Sequence, residues 1–198
     1  MAWAFCIKDK KNDRVLVVED FEKNRNGFRY PMMTKDSSMF FKLKGSKNTL
    51  VGVTDSYGEL STLKVNLKLQ EGRDSVDYDY IVETMVPQIF EILDKYKFLK
   101  TKDGETTWNS TIYIVQDNHI YEIIENGGVL EHDEIATYGQ GEGFILGSLY
   151  TSKDNPDIMD RIKKALAAAC KYEMYNNYPF VVIDSKTLDY TVIKKEVF

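Results

Sequence analysis

Few side chains in this chain stand at spacings that support chemistry. The most suggestive stretch is the glycine-rich turn Gly139-Gln140-Gly141-Glu142-Gly143, set between a short apolar run and an apolar helical pattern. Such a turn can cradle phosphate with its backbone N–H groups, but a dinucleotide site also wants a following strand with a carboxylate at its end. A helix pattern follows here instead, and Glu142 repels phosphate, so the glycines read as close backbone packing at a strand-to-helix turn. His119 and His132 are the only histidines. Each sits in a turn-like context without a cysteine or second histidine at ligand spacing, so neither a metal site nor another cofactor is expected. Asp74, Asp77, Asp79 and Glu83 lack the glycine and spacing of a calcium loop and read as carboxylates facing a helix N-terminus. No Ser-His-Asp arrangement can be built from two turn histidines. Cys6 and Cys170 lie in apolar surroundings and read as reduced thiols of a cytosolic protein.

The elements that must hold these groups come next. Ala2 to Ile7 and Val15 to Val18 read as paired strands around a polar turn. Phe21 to Ser37 reads as a long polar excursion with Asn26-Gly27 and Pro31. Met39-Phe-Phe-Lys-Leu43 and Thr49-Leu-Val-Gly-Val53 are two further strands. Ser56 and Glu59 have capping-box spacing for a helix near Tyr57, yet Leu63 to Leu69 alternates with period two, so that segment stays open. Tyr80, Ile81, Met85, Ile89, Ile92, Leu93 and Tyr96 recur at helical spacing, with Pro87 expected to kink or restart the helix. Thr111–Val115 and Ile120–Ile124 read as a hairpin around Gln116 to His119. Pro156-Asp157 starts a helix with Ile158, Ile162, Leu166, Ala169 and Cys170 on one face, and two closing strands follow, Phe180–Ile183 and Tyr190–Ile193.

The 198 residues, 43% hydrophobic and 13% aromatic, suit one folded domain over 1–198 with a sizeable core. A net charge of −5 with interspersed basic residues offers no stripe for nucleic acid. No run is long and apolar enough to predict a membrane span. The order of strands, helices, strands, helices, strands makes the fold class α+β, with a sheet covered on both faces or two sheets packed between helices.

A strand into Gly139-Gln-Gly141, a helix with Leu146-Gly-Ser-Leu149, the Ala-rich stretch Ala165-Leu-Ala-Ala-Ala169 and a final strand pair together resemble the proteasome β-subunit family, which includes HslV-type bacterial relatives. The N-terminal hairpin ending at Asp20, the polar excursion and the strand at Met39 extend the resemblance over most of the chain. It implies a four-layer α/β/β/α sandwich of the N-terminal nucleophile hydrolase type, assembly into rings, and peptide hydrolysis where activity is present. That chemistry needs a Thr, Ser or Cys at the mature N-terminus with its own α-amine as base, supported by a lysine, a carboxylate and oxyanion donors.

Position by position, the resemblance puts Ala2 at the nucleophile, Asp20 at the hairpin carboxylate and Met39 at the catalytic lysine. Gln140 falls at the serine of the glycine turn, Glu173 at the acidic residue after the Ala-rich helix, and Asn176 at the serine beyond it. Lys42 and Lys44 lie near Met39, but an odd register shift turns a strand side chain to the other face. The expectation is therefore a ring or assembly subunit without peptidase activity. An alternative takes Cys6 as nucleophile, exposed by processing, with Asp20 and Lys42 or Lys44 in support. Another keeps the cleft as a binding site for a peptide or small ligand through Gln140, Glu173 and Asn176.

Overall fold

The first hairpin dictates the layering. In the computed structural model, which describes residues 4–20, 22–25, 28–31, 38–173 and 178–194, β1 (Ala4–Asp9) and β2 (Arg14–Asp20) pair antiparallel with Ala4 opposite Glu19 and Cys6 opposite Val17. Both strands are apolar on successive residues, so both faces must be covered. Ala4, Cys6, Val15 and Val17 enter one core cluster, while Phe5, Ile7, Leu16 and Val18 enter another.

The excursion after β2 contains a two-stranded ribbon, β3 (Glu22–Arg25) with β4 (Phe28–Pro31). The reading of this segment as a long polar excursion does not anticipate the ribbon; Asn26 and Gly27 lie outside the described residues. Next come β5 (Phe40–Lys42), β6 (Leu50–Val53) and α1 (Tyr57–Asn66). The open segment is thus helix as far as Asn66, and beyond it Leu67 is extended and Lys68 bridges Lys44. Ser56 accepts a hydrogen bond from the Glu59 N–H, and Leu60, Leu63 and Leu67 share a buried face at helical spacing.

The second long helix is continuous from α2 (Tyr78–Tyr80) through a π-helical turn at Ile81–Met85 into α3 (Val86–Lys95). Pro87 falls in the first turn of α3, directly after the π-helical turn. The widened turn just before the proline carries an i→i+5 bond from the Val86 N–H to the Ile81 carbonyl, which relieves the ring's conflict with the preceding turn. Asp77 caps the helix, as expected of a helix-entry carboxylate, and its Oδ1 accepts from the Tyr80 N–H at 2.9 Å.

A small ribbon follows, β7 (Lys100–Lys102) with β8 (Glu105–Thr107). After it come β9 (Ile112–Gln116), β10 (His119–Ile123), β11 (Val129–His132) and β12 (Ile135–Tyr138). The chain closes with α4 (Glu142–Thr151), α5 (Ile158–Tyr172), β13 (Phe180–Asp184) and β14 (Tyr190–Ile193). One sheet has the order β12-β1-β2-β13-β14 and the other β11-β10-β9-β6-β5.

Three cores separate four layers. Helices α1 to α3 pack on the second sheet through Leu63, Ile81, Met85 and Ile89 against Val51, Ile112 and Ile114. The two sheets meet through Cys6, Val17, Met39, Phe40, Leu50 and Val115. Helices α4 and α5 cover the first sheet through Ile145, Leu149, Ile162 and Leu166 against Phe5, Val18 and Phe180. The architecture is the α/β/β/α sandwich. Among the described residues no helix is long and apolar enough to cross a membrane.

Candidate functional site

Among the described residues, strand register brings Asp20, Met39 and the strand that leads to Gln140 to one end of the sandwich. Ala4 opens β1 opposite both Tyr138, which ends β12, and Glu19 near the end of β2. Asp20 pairs with Phe180 at the start of β13. Gln140 lies two residues past Tyr138, in a turn whose flanking Gly139 and Gly141 have φ of 104° and 94°, a conformation that favours glycine. Glu173 ends α5, and its neighbour Tyr172 stacks on Phe144 just beyond that turn, with ring centroids 5.4 Å apart. Ala2 and Asn176 lie outside the described residues.

Facing matters as much as proximity. Asp20 shares the face of Leu16 and Val18, towards α4 and α5, because it pairs with Phe180 of that core. Glu19 has the opposite parity and points between the sheets, where it is fully buried. Its carboxylate accepts from the Ser38 hydroxyl and, at 2.9 Å, from the Met39 backbone N–H. The Ser38 oxygen in turn accepts from the Phe40 N–H at 2.9 Å. Met39 is buried at the mouth of β5, and its carbonyl accepts from Val53 at the end of β6. A carboxylate, a buried serine and two backbone amides thus lock β5 onto β2. Sequence reasoning passed over Glu19 because β2 is apolar on both faces, so nothing in the sequence tells which of the adjacent acids turns inward.

The same end carries Tyr57 at the head of α1. Partial burial and the charges of Glu19 and Asp20 push its phenol up to about 12. The two nearby lysines lie elsewhere. Lys44 reaches the Val65 carbonyl in the last turn of α1, about 12 Å along the helix from its head. Lys42 is exposed on the edge strand opposite Leu50.

Cys6 sits inside the sandwich between Ala136 and Val17. Burial, followed by the charges of Glu122 and Glu19, pushes its thiol far above the usual range, so it stays protonated and unreactive at neutral pH. Alkylation of the native protein is expected to label Cys170, which is partly exposed, and to spare Cys6 until the protein unfolds. Peptide mapping after a timed iodoacetamide pulse reads this out; equal labelling of both thiols would contradict it.

The histidines pair with glutamates across the β10–β11 ladder, His119 with Glu131 at 2.7 Å and His132 with Glu122 at 2.6 Å. Among the described residues no three His, Cys, Asp or Glu side chains stand close enough to hold a metal ion. Among the described residues, this end of the sandwich presents the buried carboxylates of Glu19 and Asp20, with Glu19 accepting from the Ser38 hydroxyl and the Met39 N–H and the apolar Met39 side chain at the mouth of β5.

No protein-family model matches the chain, and no curated protein matches its sequence. Solved structures do match over nearly the whole fold. BPH from Thiobacillus denitrificans superposes with a TM-score of 0.69 and 16% identity over 97% of each chain. Anbu, an ancestral β-subunit from Yersinia bercovieri, gives 0.63 and 10% identity over 98% of this chain and 88% of that one. HslV from Trypanosoma brucei gives 0.59 and 12% over 98% and 99%. All three have the proteasome-like N-terminal nucleophile hydrolase fold. The likeness is one of fold.

Proposed function

We propose that this chain is a non-catalytic, self-assembling subunit built on the proteasome-like sandwich. The observation that carries the proposal is the Glu19–Ser38–Met39 lock. A catalytic lysine at the mouth of β5 would place an ammonium beside the inward carboxylate. Here that carboxylate accepts from a hydroxyl and an amide, and the apolar Met39 side chain joins the inter-sheet core. With Met39 at the mouth of β5, an N-terminal nucleophile gains from that position no ammonium to depress its pKa and stabilise the developing oxyanion.

The reading with Cys6 as nucleophile is not adopted. Cleavage after Phe5 would remove Ala4 and Phe5, both buried in β1, and would leave a thiol enclosed between two sheets. Use of the old cleft by a peptide or small ligand is compatible with the exposed Gln140 and the half-buried Glu173, but no observation favours it. The buried Cys6 thiol suits a reducing, cytoplasmic setting.

Self-assembly is supported by the company the fold keeps, since a Pseudomonas aeruginosa Anbu structure is a helical assembly. Head-to-tail contacts of one subunit type close into rings or extend as helices, depending on whether the rotation closes. Size-exclusion chromatography with light scattering at tens of micromolar is expected to give a multiple of the 22.9 kDa chain mass. A strict monomer would overturn the assembly reading.

A further inference from the structure

Oxygen-bearing side chains meet where the head of α1 covers the end of the β6–β9 ladder. The ladder pairs Val53 with Ile112 and continues through Thr54 and Thr111. There the Thr54 N–H donates to the Thr111 carbonyl at 3.1 Å and the Thr111 N–H to Thr54 Oγ1 at 3.0 Å. One residue further, Ser110 falls opposite Asp55 and on the same side of the chain as Ile112, which enters the core under α1. Glu59 reaches that place from the buried side of α1, which it shares with Leu60 and Leu63, and is itself fully buried.

The spacing of Ser56 and Glu59 lets a glutamate close a capping box on its own helix. Glu59 turns away from that role: the Ser56 N–H donates to the Thr54 carbonyl at 2.6 Å, and Glu59 Oε1 accepts from the Asn109 N–H at 3.1 Å. Glu59 Oε2 and Ser110 Oγ are both buried and have no hydrogen-bond partner among the described residues. Lys100, the basic side chain at this corner, donates to Asn109 Oδ1 at 2.8 Å. Among the described residues no basic side chain pairs with Glu59. A charge buried in this way is ordinarily paired or bound to a cation. The head of α1 supplies about half a positive charge, which leaves the rest of the Glu59 charge and that of Asp55 uncompensated. The two carboxylates feel each other, since burial and then the charge of Glu59 raise the Asp55 carboxyl.

We infer that Glu59 Oε2, Ser110 Oγ and the Asp55 carboxylate bind a monovalent alkali cation, K⁺ or Na⁺, between the head of α1 and the end of the β6–β9 ladder. Two carboxylates and a hydroxyl fall short of the roughly six to eight oxygens that Ca²⁺ takes, and Mg²⁺ gives up its water reluctantly. A water molecule would satisfy both unpartnered oxygens but would leave the buried charge in place. Asp55 is exposed and marks the solvent side of the site. The Val53 N–H, two residues earlier, donates to the Met39 carbonyl at 3.1 Å, so the ion ties α1 to the strand end that holds the mouth of β5. The site stands whether or not the subunit assembles.

Thermal denaturation of the full chain in KCl, NaCl and choline chloride at one ionic strength tests the site, because choline is too large to enter it. Tm is expected to be about 5 °C higher in saturating KCl or NaCl than in choline chloride, with a saturable dependence on the alkali cation. The salt that saturates at the lower concentration identifies the ion. Glu59→Gln should abolish the difference. Ser110→Ala, which folds without loss of a charge, should raise the half-saturation concentration about tenfold. Asp103→Asn, an exposed carboxylate in the β7–β8 turn, should keep the full difference. Equal Tm values in all three salts would mean that water alone fills the place and would overturn the inference. So would a cation effect that survives both E59Q and S110A, or one seen only with MgCl₂ or CaCl₂.

Discussion

Glu19→Ala is expected to destabilise the fold by about 3–4 kcal/mol, with a fall of about 10 °C in Tm for a domain of this size. The carboxylate is fully buried and receives the Ser38 hydroxyl and the Met39 N–H. Its removal leaves two donors inside the sandwich without that acceptor, at roughly 1–3 kcal/mol each. Glu19→Gln keeps the shape and one strong acceptor, so it should cost about half as much. Urea denaturation of both variants, with Ser38→Ala to complete a double-mutant cycle, measures the coupling. A Glu19→Ala loss below about 1 kcal/mol would mean that the carboxylate is not what pins β5 to β2, since removing a single acceptor from one buried donor already exceeds that.

Phe40→Ala should cost about as much, roughly 3–5 kcal/mol, and Gly52→Ala about 1–3 kcal/mol. Phe40 and Gly52 are directly paired between β5 and β6. An added Cβ at Gly52 would lie 2.4, 2.5 and 2.8 Å from three carbons of the Phe40 ring. The ring therefore lies across the bare backbone, and the glycine is what lets Phe40 reach the inter-sheet core beside Met39. The double variant should lose less than the sum of the singles, because the new methyl group partly fills the space the ring vacates. Strictly additive losses would show that ring and glycine are not coupled.

Much of the scaffold was legible because its signals are local. The Ser56 and Glu59 spacing caps α1, Asp157 caps α5 with bonds to the Met159 and Asp160 N–H groups, and Gln116 to His119 turns the β9–β10 hairpin. Leu63, Val65, Leu67 and Leu69 alternate while Leu60, Leu63 and Leu67 keep helical spacing, so only packing against Val51 and Ile112 decides for helix, and it does so as far as Asn66. The β7–β8 ribbon escaped notice although its Asp103-Gly104 pair is a strong hairpin signal, since the strands are three residues each and exposed. At the site, the end of the sandwich was readable from the order of the elements. The inward acid was not: Glu19 and Asp20 are adjacent, and only the pairing of Asp20 with Phe180 turns it towards the helices.

The claim that the cleft has lost its catalyst is tested most directly by intact mass after exposure of the assembled protein to a peptidyl epoxyketone, an electrophile that an N-terminal nucleophile opens covalently. The mass of the chain is expected to stay unchanged through prolonged incubation. A stoichiometric adduct, one reagent per chain and mapped to the N-terminal peptide, would contradict the non-catalytic reading.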